Sequence, residues 1–231
     1  MHKIFFLYKC NSSFKIYFYF LRTKILNIFF KRKIISFKKT HEALIENKKI
    51  TTNYFSPHSF NFYWHLRRLN SNFNYLEIGS YEGNSAMFVA NNFKKSNVYC
   101  VDTWVKTNEY INHISFSHIE DNFDYNIKEH SNIYKSKDSS DNFFVKNKRM
   151  YDVVYIDGYH LGSQVYKDCV NSWKFLKNEG FLICDDYIWN FYENAEDNPC
   201  YAVNKFLKEN NGYYKIQKIS NSQIFIKKIN S

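Results

Sequence analysis

Proline and glycine are scarce in this sequence of 231 residues, which contains only two prolines and six glycines. Flexible linkers are rich in glycine, proline or serine, and the chain has no long stretch of that kind. Domain boundaries therefore have to be inferred from charge and from hydrophobic periodicity. At this length the chain suits one sizeable domain with extensions, which would bury roughly 70% of the surface that the unfolded chain exposes.

Three glycine-containing motifs of common enzyme classes are absent. The sequence has no Gly-x-Gly-x-x-Gly dinucleotide fingerprint, no phosphate-binding loop ending in Gly-Lys-Ser/Thr and no Gly-x-Ser-x-Gly nucleophile elbow. These absences argue against each of those kinds of site. A shorter pattern is present, because Gly79 and Gly83 follow the apolar run YLEI. Taken alone, it indicates a strand-to-helix turn more often than a binding site.

Paired cysteines are also missing. The five cysteines are an odd number and include no Cys-x-x-Cys pair, and two of them lie in the apolar runs VYCV and FLICDD. This usage favours reduced core thiols in a cytoplasmic protein over disulfides or a zinc site.

Acidic residues are absent from the first 40 residues, which hold ten of the 32 lysines and arginines. The rest of the chain therefore carries 22 basic residues against 22 acidic ones, and the net charge of +10 belongs entirely to this leader. The main domain gives no electrostatic reason to bind nucleic acid, and we expect no such partner.

The leader contains no apolar run of the roughly 18 residues that a membrane-spanning helix needs. Lys9, Lys15 and Arg22 interrupt its apolar runs, and no small-residue cleavage site follows the short segment IFFLY. Two interpretations remain: a basic segment in peripheral contact with an anionic membrane, or a poorly ordered extension. We predict this leader over residues 1–40, lid or cap helices over 41–73, and the main domain over 74–231.

From Asn74 onward, short apolar runs alternate with amphipathic segments. Strands are predicted at 75–79, 98–102, 132–136, 152–157 and 181–186, and helices at 84–93 and 117–130. Val165, Cys169, Trp173 and Leu176 recur at helical spacing and predict another helix. Continuously apolar strands that alternate with helices predict an α/β fold with a Rossmann-like, doubly wound and mostly parallel sheet.

The end of the chain predicts a different arrangement. Asn198 and Pro199 mark a helix start, with Ala202, Val203, Phe206 and Leu207 as its buried face. The segments YYKIQKI and QIFIKKI flank residues 220–222 and predict a hairpin, so that the sheet would finish with an antiparallel pair.

Polar residues follow the predicted strands, where open α/β sheets bind their ligands. Asp102 could accept hydrogen bonds from two ribose hydroxyls, and Ser139 could reach a nucleoside base. Asp157, Asp185 and Asp186 would repel one another unless a cation or a bound donor lay among them.

Together these motifs resemble the class I S-adenosylmethionine-dependent methyltransferases, in particular methyltransferase family 24. The resemblance rests on YLEIGSYEGNSA, VYCVDTW, YDVVYIDGYH, DCVNSWKFLKNEGFLICDDYIW and the closing AVNKFL and QIFIKKI, over about residues 60–229. It implies a seven-stranded sheet with an antiparallel last strand, and S-adenosylmethionine as cofactor. The implied cofactor-binding residues are Glu77, Gly79, Ser80, Tyr81, Gly83, Ser85, Asp102, Ser139 and Asp157.

The resemblance also implies a candidate Mg²⁺ site at Asp157, Asp185 and Asp186. His160 occupies the place of a catalytic lysine in related catechol-type enzymes, so it would act with Asp157 in catalysis. The alternative is that His160 only hydrogen-bonds its own loop. Trp104, Lys106, Tyr110 and His118 would roof the acceptor pocket.

The expected activity is O-methylation of a sugar or another hydroxyl on a small-molecule or glycan acceptor. Alternatives are a nitrogen or phenolic methyltransferase of a small molecule, and a non-catalytic membrane-associated protein that retains the fold. We expect a cytoplasmic protein, with peripheral membrane contact if the first interpretation of the leader holds. Homo-oligomerisation stays open.

Overall fold

The computed structural model describes residues 2–70, 72–105, 118–220 and 222–230. Within it the chain divides into two compact units. One comprises Phe29–Ser139, and the other comprises Met1–Ile28 together with Ser140–Ser231.

Three helices occupy the N-terminal part of the chain: α1 (His2–Lys9), α2 (Phe14–Phe29) and α3 (Lys31–Leu44). The boundary that the charge pattern predicts at residue 40 lies inside α3, so the change in charge does not coincide with the end of an element. α1 and α2 also bury apolar side chains, namely Phe6, Leu7, Ile16 and Phe20. The division into leader, cap and main domain stays a prediction.

The unit Phe29–Ser139 continues with a 3-10 turn at Ser56–His58 and helix α4 (Ser59–Leu66). Strands β1 (Asn74–Ile78), β2 (Asn97–Asp102) and β3 (Ile133–Lys137) then alternate with helices α5 (Asn84–Asn92) and α6 (Ile119–Ile127). β1 pairs in parallel with β2, and β2 pairs in parallel with β3. Parallel pairing agrees with the helical crossovers, because two parallel strands cannot be joined by a tight turn.

The other unit contains α7 (Ser140–Lys146), β4 (Tyr151–Ile156), α8 (Gly162–Phe175) and β5 (Leu176–Cys184). A 3-10 turn at Ala195–Asp197 leads to α9 (Pro199–Glu209), β6 (Tyr214–Ile219) and β7 (Ile224–Lys228). β4 pairs in parallel with β5, whereas β7 runs antiparallel to both β5 and β6. The predicted terminal hairpin is therefore confirmed, although Asn221 between its strands lies outside the described residues.

The seven strands form one sheet in the order β3-β2-β1-β4-β5-β7-β6, which confirms the predicted Rossmann-like mixed sheet with an antiparallel last strand. Four consecutive residues of β4, Val153 to Ile156, are buried, as are Phe181 to Cys184 of β5. Successive side chains of a strand point to opposite faces, so burial of consecutive residues means that both faces are covered.

One predicted helical residue belongs to a strand. Leu176, expected on the apolar face of the helix after β4, is the first residue of β5, and its backbone is extended at φ −83° and ψ 126°. Its side chain is buried in that position too. Hydrophobic periodicity could not reveal that the helix ends before Leu176, because a buried leucine fits the pattern of a helix and that of a strand equally well.

The predicted last helix is confirmed. α9 begins at Pro199 with Asn198 as its N-cap, and Ala202, Val203, Phe206 and Leu207 are all buried. All five cysteines are free and buried. Among the described residues, no helix has the length and apolar character needed to cross a membrane.

Candidate functional site

The turn between β1 and α5 has an unusual backbone. Gly79, Tyr81 and Gly83 have φ values of 85°, 47° and 79°. Glycine adopts this left-handed region without steric cost, whereas Tyr81 does so only where its surroundings hold it. The turn therefore depends on both of the predicted glycines and on contacts that fix Tyr81.

Asp102, at the end of β2, provides those contacts. Its Oδ2 accepts hydrogen bonds from the backbone N–H groups of Ser80 and Tyr81, both at 2.9 Å, and its Oδ1 accepts one from Trp104 N–H at 2.7 Å. Burial raises the pKa of this carboxyl above its ordinary value, and the three N–H groups oppose that shift. Asp102 thus shapes the loop, and its predicted ribose contact would use the acceptor capacity that remains.

Glu77 is completely buried in β1. The hydroxyl of Tyr75, also buried, donates a hydrogen bond of 2.7 Å to Glu77 Oε2. The two residues are two positions apart in a strand and so project from the same face. A buried tyrosine therefore supports the carboxylate that we predict to hold the cofactor.

The turn carries a further buried acid, Glu82, which the sequence analysis did not identify. Its Oε2 accepts from Thr51 N–H at 2.7 Å, and its Oε1 accepts from the Asn122 side chain at 2.8 Å. Glu82 therefore ties the turn to the segment before α4 and to α6. Its position between Gly79 and Gly83 was the only local feature of the sequence that could have indicated this role.

The remaining cofactor candidates in this unit lie beside the turn and after β3. Ser85 is buried in the first turn of α5. Ser139 follows β3 and is half-buried, and its backbone N–H donates to Asp138 Oδ1 at 2.9 Å. Their predicted contacts with cofactor stay predictions.

Of the predicted acceptor roof, Lys106 and Tyr110 lie outside the described residues. Trp104 is only 8% exposed and donates from Nε1 to the Tyr81 carbonyl at 2.8 Å. The His118 side chain is 72% exposed and approaches Asp121 at 3.8 Å. Within the described part of the chain, Trp104 supports the turn after β1.

The second unit brings three predicted site residues together at the ends of β4 and β5. His160 Nε2 lies 3.1 Å from Asp186 Oδ2 and 3.6 Å from Asp157 Oδ1. Ligand atoms of these three residues all lie within 4.8 Å of one another, which is close enough to share one metal ion. His160 is 8% exposed, and its ring packs edge-on against Trp189 at 5.1 Å.

Asp185 belongs to the same region but has different partners. Its Oδ2 accepts from the Gln223 side chain at 2.8 Å and is hydrogen bonded to the Tyr155 hydroxyl. Its Oδ1 accepts from Asp186 N–H at 2.8 Å. Asp185 thus anchors the loop, while Asp186, with φ 48°, is turned toward His160.

The Tyr155 hydroxyl joins two carboxylates, because it also lies 2.9 Å from Asp157 Oδ2. A hydroxyl has one proton to donate, so Tyr155 can donate to only one of the two carboxylates at a time. Burial and then the negative charge of Asp185 raise the pKa of Asp157 from its ordinary value of 3.8 to about 7, while His160 opposes the shift. Asp157 therefore binds a proton far more readily than an ordinary aspartate does.

The sequence analysis missed Tyr155 and Gln223. Tyr155 could have been found, because Tyr155 and Asp157 repeat the two-residue spacing of Tyr75 and Glu77 at the end of an apolar strand. Gln223 gives no local signal, since it reaches Asp185 across 38 residues of sequence through the terminal hairpin.

Comparison with known proteins bears on the family and the fold. Residues 76–187 match the family model described as a methyltransferase domain. The predicted resemblance to methyltransferase family 24 is therefore confirmed over this segment. A search of curated proteins returned no relative of this sequence.

Solved structures show the same fold at low sequence identity. A Staphylococcus aureus protein provisionally assigned as a caffeoyl-CoA O-methyltransferase is 16% identical, with 90% of this chain and 99% of that chain covered and a TM-score of 0.58. The O-methyltransferase NovP is 11% identical, with 74% and 78% covered and a TM-score of 0.54.

A third similar structure is the MycE methyltransferase of mycinamycin biosynthesis, in complex with Mg, SAH and mycinamycin VI. It is 14% identical and has a TM-score of 0.57, with 84% of this chain covered. This chain spans about half of MycE, at 54% of its length.

The raised pKa of Asp157 predicts a pH dependence of stability. Between about pH 4 and pH 7 the folded protein holds a proton on Asp157 that the unfolded chain has lost. The stabilisation that this proton provides is fully present below that window and is lost as the pH rises through about 7. As the pH rises through this range, the free energy of unfolding of Asp157→Asn should therefore fall by less than that of the wild type. Urea titrations at each pH measure this difference.

Glu46→Gln is the control, because Glu46 is an exposed carboxyl in the other unit. Asp168, whose pKa burial raises to about 6, contributes equally to all three proteins. An identical pH dependence of Asp157→Asn and wild type would contradict the assignment of a raised pKa to Asp157.

Proposed function

We propose that the protein transfers a methyl group from S-adenosylmethionine to a hydroxyl oxygen, with a sugar hydroxyl as the first acceptor class to examine. The observation that carries this proposal is the convergence of the His160 imidazole with Asp157 and Asp186 just beyond β4 and β5. Hydroxyl groups are poor nucleophiles until their proton is removed, and an imidazole beside two carboxylates is suited to removing it.

The residues around the β1 turn fit the proposed cofactor chemically. A buried carboxylate such as Glu77 would pair with the ammonium group of the methionine end, and the turn from Gly79 to Ser85 offers backbone close to that end. The remaining acceptor capacity of Asp102 would take a ribose hydroxyl, and Ser139 would contact adenine. The three backbone hydrogen bonds of Asp102 hold its carboxylate in place before cofactor binds.

The carboxylates of the other unit fit a divalent cation. Oxygen ligands are the donors that Mg²⁺ prefers, and Asp157 and Asp186 offer oxygens that lie close together. Asp185, the third residue of the predicted set, would join them only by giving up hydrogen bonds to Tyr155 or Gln223. A cation bound here would polarise the acceptor hydroxyl and lower its pKa.

The chemical step then balances without an oxidant or a reductant. The acceptor oxygen attacks the sulfonium methyl carbon, the new C–O bond forms, and the C–S bond breaks with its electron pair left on sulfur. The His160 imidazole takes the hydroxyl proton, and the nearby Asp186 carboxylate stabilises the imidazolium that results. Positioning of the two reactants supplies the remaining rate enhancement.

Replacement of His160 tests the proposed reaction. With labelled S-adenosylmethionine and a panel of glycosides, phenols and amines, we expect methyl transfer to a hydroxyl acceptor. His160→Gln should lower kcat about 100-fold or more while leaving cofactor affinity unchanged, because His160 is not among the proposed cofactor ligands. His2→Gln, which alters an exposed histidine at the start of α1, is the control and should keep full activity.

Wild-type kcat in His160→Gln would contradict the role of His160 as base and favour its role as a scaffold of its own loop. Transfer to amines or phenols but not to sugars would replace the proposed acceptor class. Cofactor binding without transfer to any acceptor would favour a binding protein that retains the fold.

The proposed cation site predicts an effect of the Tyr155 hydroxyl. Because Tyr155 orients both Asp157 and Asp185, Tyr155→Phe should weaken Mn²⁺ affinity about tenfold or more, as loss of a hydrogen bond to a metal-binding carboxylate commonly does. Electron paramagnetic resonance of free Mn²⁺ during a titration measures this affinity.

Tyr151→Phe is the matched control on the same strand. Tyr151 is equally buried, and its hydroxyl donates to Asn147 Oδ1 at 3.0 Å, away from the carboxylates. Equal Mn²⁺ affinity in both variants, or no Mn²⁺ binding by the wild type, would contradict the proposed cation site.

A further inference from the structure

An exposed apolar stripe runs along α2. Phe14, Phe18, Leu21, Ile25 and Ile28 are 84%, 55%, 49%, 57% and 74% exposed. Their spacing of four, three, four and three residues places them within about 80° of the helix circumference, at about 100° per residue. Single exposed apolar residues are ordinary on protein surfaces, but a continuous stripe of large ones marks an interaction surface.

Packing inside the unit does not explain this stripe. The buried residues of α2, Ile16, Phe20 and Thr23, lie roughly opposite to it on the helix. α2 therefore has two apolar faces, one packed inside its unit and one facing solvent.

Hydrogen bonds from α9 hold the connection between α1 and α2. The side-chain amide of Asn204, on α9, donates to the Cys10 carbonyl at 2.8 Å and to Ser12 Oγ at 2.9 Å. Phe6 and Leu7 of α1 are buried, whereas Ile4, Phe5 and Tyr8 of the same helix are 46%, 57% and 72% exposed. α1 thus adds a second group of exposed apolar side chains beside the connection to α2.

Cations border the apolar stripe on both sides. Lys15 and Arg22 lie about 80° to 100° from its centre in one direction, and Lys24 lies about 80° from it in the other. All three are exposed, and on α1 Lys9 lies over the exposed Phe5 ring at 5.0 Å. Long basic side chains in such positions can reach lipid headgroups while their stems cover apolar surface.

We propose that this outer face of α1 and α2 docks onto an anionic lipid surface. An apolar centre flanked by cations matches the boundary between acyl chains and negatively charged headgroups. A second copy of the chain fits less well, because no acidic residue occurs before Glu42 and two such faces would bring cations against cations.

Vesicle flotation with the full chain tests this surface. The wild type should float with phosphatidylcholine vesicles that contain about one third phosphatidylserine, and not with phosphatidylcholine alone, since each surface-adjacent cation contributes about fivefold to binding. Lys15→Gln/Arg22→Gln should reduce binding to the anionic vesicles. Raising the salt concentration should have the same effect.

The apolar part of the surface is tested separately. Phe18→Gln/Leu21→Gln should lower the partition coefficient on anionic vesicles about tenfold or more, because both side chains would otherwise enter the membrane boundary. The matched control, Val145→Gln/Met150→Gln, also replaces two exposed apolar residues but lies outside α1 and α2, and it should bind as the wild type does. Both double variants alter exposed positions, and circular dichroism verifies that they fold.

Three outcomes would overturn the proposal. The first is no flotation of the wild type with anionic vesicles, and the second is equal flotation of Phe18→Gln/Leu21→Gln. The third is a wild-type dimer in sedimentation velocity that the stripe variant dissociates while neither protein floats, which would assign the face to a second copy. None of these outcomes bears on methyl transfer.

Discussion

Buried and half-buried carboxylates at or near the ends of apolar strands impose the constraint on which this structure depends. A charged group withdrawn from water is costly unless the protein supplies hydrogen-bond donors in place of water. At Asp102 the donors are three backbone N–H groups, which give the β1 turn its shape. At Glu77 and Asp157 a tyrosine hydroxyl two residues earlier in the strand contributes, so the sheet itself positions these acids.

The same constraint connects the fold with the proposed chemistry. Tyr155 brings Asp157 and Asp185 to one hydroxyl, and the resulting proximity of negative groups favours a bound proton or a bound cation. His160 adds a group that can exchange a proton near neutral pH. The arrangement therefore holds two carboxylates and an imidazole together just beyond β4 and β5, which suits the proposed removal of a hydroxyl proton.

Much of this arrangement could be predicted from sequence, because strand ends of a parallel sheet meet at one edge and Asp157, His160 and Asp186 all follow strands. The partners of the carboxylates could not. Gln223 reaches Asp185 only through the register of the terminal hairpin. The hydrogen bonds that Asp102 accepts from backbone N–H groups depend on the left-handed backbone of Tyr81. No residue pattern indicates that conformation. Likewise, the sequence of α2 does not indicate which of its two apolar faces is packed and which is exposed.

The central claim is that the chain binds S-adenosylmethionine, as its match to a methyltransferase-domain model and the acids at its strand ends indicate. Isothermal titration calorimetry of S-adenosylmethionine into the full chain tests this claim most directly. Saturable binding of one molecule per chain in the micromolar range is the predicted result. Absence of binding to the folded protein, with and without Mg²⁺, would contradict the claim and leave the carboxylates as a site for a different ligand.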